Sequence, residues 1–381
     1  MGFSSRPACR SAAGLRAGGC AASLLAALAV IASARPARAH EAPTGSESSS
    51  PTALSTAATS PSAADRWRGS ILLFDQSITT QTVGVGTDYQ TYDPTYEWWV
   101  ALKPRYTLWD RGTSAVSLNL WLNAYLELTN SDTTTREHEL LLGPTYFWAI
   151  YGHTFRDAGG YKTSATLGPR LTFPTDKAAW DAGQRLGLGA IGSVTQTLRL
   201  RGAGARALPG ARLGLGATYN HPLDRCTSAC DDGLHIVRED LNGISVPSDL
   251  LSGAMMVENS LSVSLLGNLQ LLRRLDLALS YIVINYWLYS APVAQLCETG
   301  SPACTTPMRN ADPTTFKVNT WLTASLDYAV TDELGLSIGY YNLNNQLAPY
   351  GTRRDPIWSP AARFFLTVTG NLDAIYRRVA R

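Results

Sequence analysis

Val116-Ser-Leu-Asn-Leu-Trp-Leu-Asn-Ala-Tyr-Leu-Glu-Leu128 alternates without a break. Successive side chains of an extended strand point to opposite sides. Val116, Leu118, Leu120, Leu122, Ala124, Leu126 and Leu128 therefore share one wholly apolar face. Ser117, Asn119, Trp121, Asn123, Tyr125 and Glu127 share the other. The run is longer than the ~5 to 6 residues of an ordinary globular strand and exceeds the ~9 to 11 that a tilted membrane-crossing strand needs.

The same two faces recur further on. Phe316, Val318, Thr320, Leu322, Ala324, Leu326 and Tyr328 alternate with Lys317, Asn319, Trp321, Thr323, Ser325 and Asp327. Extending the pattern along the chain gives strands near 69–81, 95–109, 114–130, 138–151, 161–173, 184–201, 211–221, 257–270, 273–290, 314–329, 334–345 and 361–374, with no amphipathic helix of useful length between them. This predicts an all-β chain of about 12 strands, a transmembrane antiparallel up-and-down β-barrel in the cell outer membrane.

The connectors agree, because outer-membrane barrels have short periplasmic turns and longer external loops. Trp109 to Thr113, Gly152 to Gly160, Gly202 to Gly210, Leu271 to Leu272 and Val330 to Glu333 are short. Pro222 to Met256 and Ala291 to Pro313 fall on the other side of the alternation and are long. Trp98, Tyr106, Trp148, Tyr281, Trp287, Tyr289, Tyr328 and Tyr340 are placed on the apolar face, mostly towards strand ends, where rings with one polar edge prefer the headgroup level. A soluble β-sandwich predicts shorter strands and no such bias.

The amino end reads as an export signal over residues 1–39. Its five charged groups are all arginines (Arg6, Arg10, Arg16, Arg35 and Arg38), and an apolar run from Ala21 to Ala34 closes on Ala37-Arg38-Ala39. Cleavage is expected before His40. Residues 40–64 are Ser, Thr, Pro, Ala and Gly with almost no large apolar side chain, a composition that does not order itself, and the barrel takes 65–381. Without the signal, 27 basic residues face 30 acidic ones, a net charge of -3. An acidic remainder without a basic block excludes nucleic acid as a partner. No phosphate-binding glycine loop or dinucleotide fingerprint is present, and no cofactor is expected.

Cys9 and Cys20 precede the cleavage site. The other four cysteines form two local pairs, Cys226 with Cys230 and Cys297 with Cys304, read as two small disulfide loops facing the cell exterior. Their spacing is a poor match to zinc, and no metal is expected.

Leu326-Asp-Tyr-Ala-Val-Thr-Asp-Glu-Leu-Gly-Leu-Ser-Ile-Gly-Tyr340 resembles the strand, tight turn and strand of bacterial outer-membrane β-barrels. Leu167-Gly-Pro-Arg-Leu-Thr-Phe-Pro-Thr-Asp176 is similar to segments of uncharacterised proteobacterial transporter-like barrels. The resemblance is architectural and spans residues 69–376. It implies a lipid bilayer with lipopolysaccharide as surroundings and the barrel-insertion machinery as a partner. Such barrels usually end on an aromatic residue, whereas this chain ends Tyr376-Arg-Arg-Val-Ala-Arg381, which makes Tyr376 the candidate terminal signal.

The alternation that assigns the lipid face also assigns the lumen. Its pore-lining candidates are Lys103, Arg105, Lys162, Arg170, Arg185, Arg199, Arg212, Glu258, Asp276, Lys317, Asp327 and Arg363, with Asp75, Glu97, Glu127 and Asp373 on the same side. Charges at mid-depth on the lipid side would cost ~2 to 4 kcal/mol each. The basic side chains of the fifth to seventh strands stand apart from Glu258, Asp276 and Asp327, so a basic wall is expected to face an acidic one. A channel for small polar or charged solutes follows if the lumen is open, and a plug of salt bridges if it is filled.

Two other classes compete. The first is a scaffold whose long loops bind a partner. The second is an outer-membrane hydrolase, for which His138 between Glu137 and Glu139 is the plausible base, although no Gly-x-Ser-x-Gly accompanies it. Asp231, Asp232, Glu239 and Asp240 read as a solvated acidic loop and not as a calcium site.

Overall fold

A strand with one apolar and one mixed face stays in lipid only when its backbone groups are all paired, and an antiparallel sheet closed on itself meets that condition. The computed structural model forms such a ring. It describes residues 66–80, 95–129, 138–156, 162–201, 207–227, 235–239, 245–249, 255–290, 315–345, 353–359 and 362–379. The elements in order are β1 (Ile71–Thr79), β2 (Tyr96–Lys103), β3 (Arg105–Asp110), β4 (Ser114–Glu127), β5 (Leu140–Leu142), β6 (Thr145–Arg156), β7 (Lys162–Phe173), α1 (Lys177–Asp181) and β8 (Gln184–Arg201). There follow β9 (Ala207–Asp224), β10 (His235–Glu239), β11 (Ser245–Asp249), β12 (Val257–Leu272), β13 (Leu275–Leu288), β14 (Phe316–Ala329), β15 (Leu334–Asn345), β16 (Arg363–Asn371) and α2 (Leu372–Val379).

Each barrel strand pairs antiparallel with its sequence neighbours, and β1 closes the ring against β16. Two strands are interrupted by proline, which has no N–H for the ladder. β2 and β3 flank Pro104, and β5 and β6 flank Gly143-Pro144. Counted as continuous, these give an up-and-down barrel of twelve strands. All twelve predicted segments coincide with barrel strands. Among the described residues no helix is long and apolar enough to cross a membrane. The strands do the crossing.

The two rims differ as the connector rule requires. One rim carries the turns β3–β4, β6–β7, β8–β9, β12–β13 and β14–β15 together with α2; the other carries the six long connectors. The outer belt between them is apolar, with Leu167, Leu265 and Ile338 each about two-thirds exposed at 65%, 60% and 60%. Trp98, Tyr281, Trp287, Tyr328 and Tyr340 face outwards as predicted.

Several expectations need correction. Trp148 does not face lipid: it pairs with the inward Asn119 and packs inside the barrel with Trp121. Tyr289, just past β13, packs against an inner cluster as well. The last strand ends at Asn371, so Asp373 is not a strand residue but lies in the first turn of α2. The longest connector carries a hairpin, β10–β11, that was not expected. The predicted signal and leader, and Glu137, Cys230, Asp231, Asp232, Asp240, Cys297 and Cys304, lie outside the described residues. Cys226 follows β9, and its potential partners are among these.

One connector folds back over the outside. Asn342 and Asn344 share the outward parity of Ile338, yet both are buried, because their amides donate to the carbonyls of Asp355 and Pro356. The Tyr340 hydroxyl donates to the Ile357 carbonyl at 2.5 Å, and its ring stacks on Trp358. Residues 353–359 thus form a strap that shields two amides from lipid at the long-connector rim.

Candidate functional site

The inner wall is built by parity, strand after strand. On β2 it presents Glu97, Trp99 and Ala101, on β4 Ser117, Trp121, Asn123, Tyr125 and Glu127, and on β13 Asp276 to Leu288 at the even positions. Lys103, Arg105, Lys162, Arg170, Arg212, Asp276, Lys317, Asp327 and Arg363 all fall on this side by register. Arg185 sits at the shift between Gln184 and Leu186 near the long-connector rim and is exposed. Arg199 has its backbone in β8, and its side chain lies outside the described residues. Glu258 occupies the bulge between Val257 and Asn259, where Val257 joins the inner cluster and Asn259 pairs with the outward Trp287. Simple alternation therefore does not place Glu258 in the lumen.

The half of the wall nearer the long connectors is tightly held. The Arg363 guanidinium lies 3.3 Å from the Glu97 carboxylate and donates to the Ser77 hydroxyl at 3.2 Å. Glu97 is the cross-strand partner of Glu127. One Glu127 oxygen accepts the Thr129 N–H at 2.6 Å and the Thr129 hydroxyl; the other is buried with no hydrogen-bond partner among the described residues. Arg170 lies over the Tyr146 ring at 4.2 Å and Lys103 over the Trp121 ring at 3.5 Å. A cation on an aromatic face is favourable when water is scarce. Asp75 accepts a hydrogen bond from the Thr367 hydroxyl.

Towards the short-turn rim the wall is looser. Arg212 on β9 interacts with the charge of Asp276 on β13, and Asp276 lies directly opposite Asp327 on β14. Both carboxylates are partly exposed.

Much of the inner wall is apolar, which the expected polar lumen did not include. Trp99, Trp121, Tyr125, Tyr146 and Trp148 form one cluster on β2, β4 and β6. Ile282, Ile284, Tyr286, Leu288, Trp321 and Tyr341 form another on β13, β14 and β15, across the ring. The signal in the sequence was Ile282-Val-Ile-Asn-Tyr-Trp-Leu288, in which both faces carry large apolar side chains and Asn285 alone interrupts them.

Beyond the membrane span two acids are displaced from their ordinary range. Burial raises the Asp176 carboxyl, opposed by the Ala179 N–H that donates to it at 2.7 Å and caps α1. Hydrogen bonds from the Thr331 hydroxyl and from its own backbone lower Glu333, helped by Arg378.

The proposed base His138 has φ of 52°, and its Nε2 donates to the Leu128 carbonyl at 3.2 Å, while Glu139 pairs with Lys177 at 3.0 Å. A different histidine meets a hydroxyl: His153 Nδ1 and Ser114 Oγ share a hydrogen bond of 2.7 Å on the outer face near the short-turn rim. The two are cross-strand partners, and among the described residues no carboxylate bonds the His153 ring. The contact ties β4 to β6.

No protein-family model matches the chain, and no curated protein matches its sequence. Among solved structures, an outer membrane channel from Pseudomonas putida F1 is similar with a TM-score of 0.45 and 9% identity, over 82% of this chain and 99% of that one. The NanC porin follows at 0.33 and 8%, over 79% and 98%. Outer membrane phospholipase A from Escherichia coli reaches 0.34 and 11%, over 79% and 95%. These are likenesses between barrels, shared by channels and a phospholipase alike, and they carry no activity across. Closure of the ring, the apolar outer belt and the unequal rims make this chain an outer-membrane β-barrel.

Proposed function

We propose that the barrel is a passive channel for small polar or charged solutes. The observation that carries this reading is the Asp276–Asp327 pair. Like charges directly opposite each other on adjacent strands repel. Desolvated in a filled interior they would cost several kcal/mol per ion, whereas a wall bathed in water tolerates them. Arg212 beside them and Arg170 further up supply the opposite sign, so the basic and acidic sectors meet at β9 to β13 instead of standing wholly apart.

Reversal potentials of the purified protein in planar bilayers under a salt gradient test the proposal. Asp276→Asn with Asp327→Asn should shift selectivity towards anions, and Arg170→Gln with Arg212→Gln towards cations, because each changes the local potential felt by a passing ion. Absence of channel activity in the unsubstituted protein would overturn it. So would selectivity indifferent to both pairs in variants that still fold.

A further inference from the structure

The chain does not end with its last barrel strand. α2 follows β16 directly, and the Leu372 N–H continues the ladder to the Ser70 carbonyl at 2.9 Å. In its first turn Asp373 accepts the Gly69 N–H at 3.4 Å and pairs with Arg377 at 2.7 Å. Arg378 pairs with Glu333 of the β14–β15 turn at 3.4 Å. The helix is thus fixed at the short-turn rim.

Leu372, Ile375, Tyr376 and Val379 fall at i, i+3, i+4 and i+7 and form a single stripe. Ile375, Tyr376 and Val379 are 40%, 60% and 81% exposed. Off the stripe lie Asp373, which is buried, Ala374, the partly exposed Arg377 and the exposed Arg378. The stripe begins where the barrel's lipid belt ends. Gly370 faces outwards between its cross-strand partners Leu72 and Leu334, both exposed, and a Cβ on Gly370 would stand 3.8 Å from Ile375 Cδ1. Ile375 thus lies against the outer face beside Gly370 and continues the outer wall.

We propose that α2 is an interfacial anchor that lies flat on the periplasmic leaflet of the outer membrane. Its stripe enters the acyl boundary, and Arg377 and Arg378 stand level with the phospholipid phosphates. Continuity with the lipid belt selects a lipid surface over a protein partner, and the flanking arginines match its charge. An isolated helix this short would not hold its shape in water, but here the barrel holds it. The inference rests on the membrane-spanning barrel and is independent of the channel reading.

The test uses the full chain in vesicles of phosphatidylethanolamine and phosphatidylglycerol. An environment-sensitive fluorophore is placed by Tyr376→Cys, by Val379→Cys and, as the aqueous reference, by Asp332→Cys in the β14–β15 turn, where the side chain is 91% exposed. The unsubstituted protein, treated alike, gives the background from native cysteines. Labels at 376 and 379 should emit further to the blue than the reference. Lipids spin-labelled near the headgroup should quench them severalfold more strongly, and aqueous iodide less. Arg377→Glu with Arg378→Glu should reduce the lipid quenching while the barrel stays heat-modifiable. Iodide quenching at 376 and 379 equal to that at 332 would overturn the proposal. Protection from both quenchers would overturn it too, since protein would then cover the stripe. Slow amide exchange of α2 in the unsubstituted protein in nanodiscs, and fast exchange in detergent, is the label-free counterpart; equal rates would count against it.

Discussion

Arg363 and Glu97 lie 3.3 Å apart with side chains only 9% and 4% exposed, and Glu127 is the next carboxylate along the ladder. Removing the Arg363 cation takes a partner from a buried carboxylate that faces Glu127 across adjacent strands, and breaking a buried pair from one side costs about 3–5 kcal/mol. Arg363→Ala should therefore lower the unfolding free energy by that order, read as a lower urea midpoint of the heat-modifiable band. Arg363→Met combined with Glu97→Met should recover most of the loss. A single variant as stable as the parent would show that water reaches the pair. Glu97, Glu127 and Arg363 were all legible as inward residues, because charge in a run of alternating Leu and Val has only one tolerable side. Trp148 was not, since an indole fits a headgroup belt and a packed interior equally well. Only its partner Asn119 settles the face.

At the level of elements, length and alternation located every barrel strand, because a membrane-crossing strand repeats the same pattern for ~9 residues or more. Elements outside the membrane lack that redundancy. α1 is one turn and a fraction, and α2 carries only four stripe positions, too few to stand out from a neighbouring strand. The bulge at Glu258 was equally silent, since an extra residue leaves composition unchanged while reversing parity. α1 also makes a pH prediction. Its cap Asp176 has a folded carboxyl raised by burial, so the folded chain holds this proton more tightly than the unfolded chain. The contribution to stability is then full below the ordinary carboxylate range, ~3.9, and declines as pH rises towards the raised value. Asp176→Asn keeps an acceptor for the Ala179 N–H without the titration. Its urea midpoint should vary less across the acid range than that of the parent. Equal slopes would mean that Asp176 is solvated in both states.

For the whole molecule, strand number alone leaves the bore undecided, because eight strands close around a packed interior and sixteen leave a wide channel. In this twelve-stranded ring the inner clusters supply the bulkiest inward side chains. Trp99, Trp121 and Trp148 project from one arc and Trp321, Tyr341 and Ile282 from the arc across it, so bulky rings approach from both sides between the polar rims. In the proposed channel, a solute crossing this waist would shed part of its water against apolar walls. Lys103 and Arg170, held on the rings of Trp121 and Tyr146, keep positive charge at that level. The waist, rather than the acidic and basic sectors below it, should then limit the current. Trp121→Ala and Trp321→Ala should each raise single-channel conductance, although truncating a packed Trp costs about 3–5 kcal/mol of stability. Trp121→Leu and Trp321→Leu keep more of the packing and should give smaller increases in the same order. If selectivity follows Asp276, Asp327 and Arg212 while conductance ignores all four ring substitutions, the narrowest point lies elsewhere. Conductance that rises with ring removal at unchanged selectivity would separate the two levels: size sorted at the aromatic waist, charge sorted at the hydrated wall beneath it.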